Sequence, residues 1–172
     1  MADPPSPTGV GSPTVVCADE QDDVEIDAAR WGALAEAVLR AEGATGELTL
    51  TFVDHDEIAA LNAEHMGVGG PTDVLSFPLD AAGAGGFPDD GSPVLLGDVV
   101  VCPAVAAATA PIHAGTLDDE LALLVVHGIL HVLGHDHADP GEAMVMRGRE
   151  RDLLTRLHWH GAAPAGFRQE HA

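Results

Sequence analysis

A chain of 172 residues, 46% of them hydrophobic, is long enough for one domain with a real core and too apolar to be read as disordered. Seven arginines, no lysine and 28 acidic residues give a formal charge of −21, which excludes a globally basic nucleic-acid binder, because phosphate affinity is supplied by cations. No basic residue precedes Arg30 and no apolar run approaches a membrane span of roughly 20 residues, so a cytoplasmic protein without a secretory signal is expected.

Residues 1–13, MADPPSPTGVGSP, are too rich in Pro, Gly and Ser to order themselves and are read as a disordered leader. Residues 14–17 predict a short strand, and 26–41 an amphipathic helix with Asp27 in its first turn and Gly43 just beyond it. In 47–53, Leu48, Leu50 and Phe52 alternate with Thr49 and Thr51, the period of a half-buried strand. Asp54 can cap the next helix, with Glu57 in capping-box position; that helix is expected to end near His65 or Met66. A Gly-rich loop leads to a strand over 73–79, closed by Pro78. The low-complexity stretch 80–93 is longer than ordinary hairpin loops and is read as mobile.

Residues 94–102 predict a β-branched strand in which Gly97 marks a bulge or a close approach. Pro103 starts an Ala-rich helix that Pro111 limits. Helices are expected over 117–133 and 141–158, with a loose tail over 161–172. Strands followed by consecutive helices indicate an α+β fold: a small mixed sheet covered by helices, within a single domain over 14–160. Cys17 and Cys102 lack ligand spacing to a second cysteine and read as buried thiols.

Four histidines fall within the eleven residues HGILHVLGHDH, 127–137. His127 and His131, four apart, share one helical face and can point at a single ion. Gly134 offers the left-handed conformation that ends a helix, after which the chain can bring a third imidazole to the same ion and leave one position open, as in catalytic zinc sites. If the helix runs through Gly134, the third ligand is His135; if it stops there, the ligand is His137. Asp136 is either a carboxylate that orients a ligand imidazole or a turn residue.

A zinc peptidase carries a general-base Glu directly after the first His of its helix. Gly128 occupies that position, which argues against peptide hydrolysis and leaves metal-assisted phosphodiester hydrolysis as the better match. Four arginines, Arg147, Arg149, Arg151 and Arg156, follow the histidine segment and are candidates for phosphate contact, although Glu150 and Asp152 lie among them. Thr72, Asp73 and Ser76 can contact a ligand or fix a turn and the start of a strand. Asp98 interrupts an apolar strand, as a satisfied buried acid or as a group facing a cleft.

Three segments in this order, PTDVLSFP (71–78), LLGDVVVCP (95–103) and HGILHVLGHDH (127–137), together resemble the bacterial endoribonuclease YbeY family, also called rRNA maturation factors. The resemblance implies a zinc-dependent, single-strand-specific endoribonuclease in 16S rRNA 3′ end maturation and ribosome quality control, in which metal-bound water attacks the phosphodiester. It implies one Zn2+ per chain, with single-stranded rRNA and the ribosomal small subunit as partners, and neither DNA nor a membrane. The family's three metal ligands fall on His127, His131 and His137. At His135 the family usually has Tyr, and at Met66 it has an Arg associated with activity, so the catalytic groups beyond the metal stay unassigned, with His135 and Asp136 the nearest helpers. Two alternatives are a ribosome-assembly binding protein with a structural metal, and a zinc hydrolase of another bond.

Overall fold

Four apolar, β-branched segments pair into one mixed sheet in the computed structural model, which describes residues 12–79 and 94–169. The strands are β1 (Thr14–Asp19), β2 (Glu47–Phe52), β3 (Val74–Pro78) and β4 (Leu95–Val101), in the spatial order β1-β2-β4-β3. β1, β2 and β4 are parallel, and β3 runs antiparallel to β4 at the sheet edge. Between and after them lie α1 (Ala28–Ala41), α2 (His55–Met66), α3 (Pro103–Thr109), α4 (Leu117–Val132) and α5 (Pro140–Leu154). The architecture is the expected α+β one. The expected loop over 80–93, and the expected leader up to residue 11, lie outside the described residues.

Strand alternation sends each β4 residue to one of two cores. Val99 and Val101 join Leu48, Leu50 and Phe52 of β2 against α1 and α4, while Val100 packs with Val53, Ile58, Leu75 and Cys102 on the side of α2 and α3. Gly97 is both things anticipated of it. The β2–β4 register jumps from Glu47↔Leu95 to Leu48↔Gly97, so Leu96 is bulged out, and a Cβ on Gly97 would lie 2.6 Å from the carbonyl oxygen of Phe77. Cys17 is half-buried, Cys102 is buried, and both are free thiols whose pKa burial raises.

α4 is the centre of the molecule. Every residue from Leu121 to Leu130 is buried, and a helix apolar on all sides is stable only when neighbours wrap it. The sheet, α1 and α5 do so, and each fully buried Leu, Ile or Val there contributes about 1.5–3 kcal/mol. Side-chain caps set where these helices begin: Asp27 accepts from the amide of Arg30, Asp54 from Glu57, Thr116 from Asp119 and Asp139 from Glu142. Asp27 is therefore the cap of α1 rather than a first-turn residue.

Two C-terminal expectations are corrected. The helix expected over 141–158 is regular only to Leu154; Thr155–Trp159 form one wide π-type turn, in which His158 and Trp159 both hydrogen-bond Asp119 on α4. The tail expected to be loose is anchored over its described part by Phe167, which is 7% exposed and meets the Trp159 ring edge-on at 4.7 Å. A short segment with one large aromatic can reach a core that its composition does not announce. Among the described residues no helix is long and apolar enough to cross a membrane.

Candidate metal centre

His127, His131 and His137 converge at the C-terminal end of α4, with one ring nitrogen from each lying within 4.8 Å of the others. The first two sit one helical turn apart, with ring centroids 4.6 Å apart, as the i, i+4 spacing requires. The third arrives because α4 stops. Leu133 is the C-cap, Gly134 adopts φ 104°, and the amides of Gly134 and His135 return to the carbonyls of His131 and Leu130. These are the paired bonds of a Schellman turn, which satisfies two terminal carbonyls and redirects the chain. A Cβ on Gly134 would meet nothing within 4 Å, so the backbone conformation selects glycine there, not a lack of room.

Of the two candidates for third position, the turn brings His137 to the group; its ring lies 5.6 Å from that of His127 and 5.0 Å from that of His131. His135 is carried off the helical stripe into a separate recess with Asp136 and Glu142. Burial runs outward through the three imidazoles: His127 is buried, His131 half-buried and His137 exposed. Burial, helped by the adjacent His127 and His137, pushes the pKa of His131 down to about 4, so its imidazole is neutral and keeps a lone pair for a metal at any ordinary pH.

The carboxylate behind the three histidines is Glu150 on α5, which sequence reasoning did not single out. Its Oε1 lies 3.0 Å from His127 Nδ1, and Glu150 is only 2% exposed. With the carboxylate as acceptor, Nδ1 is the donor of this bond, and Nε2 is the nitrogen that would be offered to a metal. The second oxygen, Oε2, is buried with no hydrogen-bond partner among the described residues. Asp136, considered above for this orienting role, instead accepts from the backbone amide of His137 at 2.7 Å. It is a turn residue.

Packing explains Gly128. A Cβ there would come within 2.6 Å of Val99 Cγ1 on β4 and 3.3 Å of Ser76 Oγ, so this position faces the sheet and has no room for a carboxylate. Ser76 donates its hydroxyl to the Gly128 carbonyl at 3.1 Å, tying the edge strand to the helix that carries the histidines. Gly128→Ala is expected to cost about 1–3 kcal/mol through overpacking against a β-branched core residue, a fall of roughly 3–9 °C in melting temperature. An unchanged thermal melt would show that Val99 yields freely.

A cleft opens in front of the imidazoles, walled by Met66, Asp73, Ser76 and Pro78. Thr72 bonds the Asp73 carboxylate, and the Asp73 carbonyl accepts from the amide of Cys102, so this corner is held by its own turn. Asp98 shares the sheet face of Val100, away from α4, and does not face the imidazoles. Met66 is 49% exposed on the cleft wall, an apolar thioether where a phosphate ligand would want a cation. Arg149 is paired with Glu42 and Asp152, and Arg156 with Asp152. Arg147 alone of the candidate arginines lines the recess beside His127, His137 and Glu150.

Three unmixed imidazoles suit zinc or another late transition metal, not magnesium or calcium. The model of the family described as Endoribonuclease YbeY matches residues 16–158. A Cutibacterium acnes protein named endoribonuclease YbeY is 48% identical over 116 residues, which are 67% of this chain and 75% of that protein. Another of that name, from Mycobacterium sp. strain KMS, is 46% identical over 116 residues, 66% of each chain. One from Nocardia farcinica is 47% identical over 114 residues, 65% of this chain and 62% of that protein. The chain thus spans from just under two thirds to three quarters of these relatives. In fold it is similar to a Thermotoga maritima protein solved in solution, with TM-score 0.57 and 24% identity, covering 86% of this chain and 90% of the other.

Proposed function

The chain belongs to the YbeY endoribonuclease family, and from that premise we propose that it is a zinc-dependent hydrolase that cuts single-stranded RNA at the centre formed by His127, His131 and His137. The observation that carries this reading is the graded trio itself: three neutral-capable imidazoles at the floor of an open cleft, the innermost fixed by a buried carboxylate and the outermost exposed. A structural metal would be closed over by its ligands; an exposed third ligand facing a cleft is what an exchangeable fourth position requires. That favours a catalytic ion over the assembly-factor alternative.

When bound, zinc supplies Lewis acidity to a phosphodiester oxygen and makes water a better nucleophile at neutral pH. The protein supplies the rest. Glu150 fixes the tautomer and orientation of His127, as partners behind metal ligands generally do, and the Schellman turn sets His137. Gly128, packed on Val99, leaves no carboxylate beside the first ligand, which removes the peptidase alternative's general base. The cleft in front of the histidines, walled by β3 residues, is where this reading places the RNA strand. Ribosomal RNA of the small subunit, matured at its 3′ end in the cytoplasm, is the substrate this reading assigns, with quality control of ribosomes as the wider role.

Chelator-treated protein is expected to lose cleavage of labelled single-stranded RNA and to regain it with one equivalent of zinc, while duplex RNA and a peptide panel stay intact. Cleavage by rigorously metal-free protein, or peptide cleavage on reloading, would sink the proposal.

A further inference from the structure

With four acidic residues for every arginine in the chain, a guanidinium lacking a carboxylate partner is unusual. Arg30, Arg40, Arg149 and Arg156 are each paired with Asp or Glu. Among the described residues Arg147, Arg151 and Arg168 have no such pairing, and all three line one groove together with Phe167 and Gln169. Arg147 and Gln169 also line the recess that holds His127 and His137, so the groove leads to the metal centre.

We propose that Arg147, Arg151 and Arg168 form a phosphate track that binds the backbone of single-stranded RNA and leads it to the three histidines. The inference rests on the nuclease reading above and names where its substrate lies.

The track is built, not incidental. Arg147 and Arg151 are one helical turn apart on α5, so both guanidiniums leave the same face. Gln169 bridges them, donating to the Arg147 carbonyl at 2.9 Å and accepting from Arg151 Nε at 3.2 Å. The Arg151 guanidinium also lies 5.6 Å from the Phe167 ring centroid. Arg168 is held by its amide, which donates to the His113 carbonyl at 3.1 Å. Anchoring of the tail by Phe167 thus places a third cation opposite the two on the helix. On the other side of the histidines, Met66 offers no charge, so cationic contact with phosphate comes from the α5 side. Elsewhere the charge of −21 repels a polyanion.

Fluorescence anisotropy of a labelled single-stranded oligouridylate with zinc-loaded protein at low temperature, the probe's length checked by gel, tests this. The triple variant R147Q/R151Q/R168Q is expected to bind about tenfold more weakly or worse at low salt. Its log–log salt slope should be shallower by about 2, because each phosphate contact to a single strand contributes about 0.7. Arg168→Gln alone, on the tail and free of the helix, should flatten the slope by about 0.7 even if the triple variant folds poorly. Arg156→Gln, already neutralised by Asp152, should change nothing. Native-like melting with wild-type affinity and slope in both the triple variant and Arg168→Gln would overturn the track. A wild type that binds through these arginines but never cuts RNA supports the track and counts against the nuclease reading instead.

Discussion

His131→Ala is expected to abolish stoichiometric zinc binding and RNA cleavage together while leaving a folded domain. The residue is the middle imidazole of the proposed site, half-buried on the last turn of α4, and without it an ion would have one imidazole on the helix and one on the turn. Structural zinc sites bind with apparent free energies of about 10–16 kcal/mol over four ligands, so one ligand is worth roughly 2.5–4 kcal/mol, or about two to three orders of magnitude in affinity. Truncating a half-buried, neutral imidazole costs the fold far less, about 1–2 kcal/mol. Metal analysis, circular dichroism and single-strand cleavage on the same sample separate the two effects. A variant that still holds one zinc per chain and cuts RNA at the wild-type rate would remove His131 from the site.

Glu150→Gln is the second large effect, and it reaches the metal only through His127. The amide keeps the volume and still accepts from Nδ1, but the buried negative charge that makes His127 a better donor is gone. Loss of such a partner typically lowers metal affinity by 10–100-fold, so the stabilisation that zinc confers should shrink by about 1.4–2.7 kcal/mol. The readout is the difference between zinc-loaded and metal-free melts, a quantity that a purely structural ion pair would leave alone. Glu150→Asp, with the charge restored on a shorter stem, should recover part of it. Equal shifts in both melts would mean that Glu150 serves packing only.

Much of this could be read along the chain because the signals are local. Asp54 marked a helix start through its bond to the amide three residues on, whereas the caps Thr116 and Asp139 were not singled out, and His127 and His131 declare a shared face by spacing alone. Gly134 announced a turn and the family resemblance pointed to His137; the structure adds the Schellman bonds that close the turn and bring His137, not His135, to the other two. Glu150 was invisible for a different reason. It is 23 residues from His127, and nothing in GRERDLL separates a buried carboxylate from the solvated ones beside it until α5 is laid against α4. The arginines behave alike: Arg147 and Arg149 are neighbours in sequence, yet one is neutralised by Glu42 across the fold and the other is not. Asp98 needed the bulge at Leu96, which sets which residues of β4 face α4.

The three histidines also differ in what they stand on. His127 and His131 belong to α4, whose residues from Leu121 to Leu130 are all buried, so the helix holds this pair at its one-turn spacing without an ion. His137 stands on an exposed turn. An ion at this site would be held by a pair on the buried helix and by a third imidazole on the exposed turn, so the turn is the side from which it would enter and leave. A competing chelator would meet the centre from that side, where only His135 and Asp136 separate Gly134 from His137.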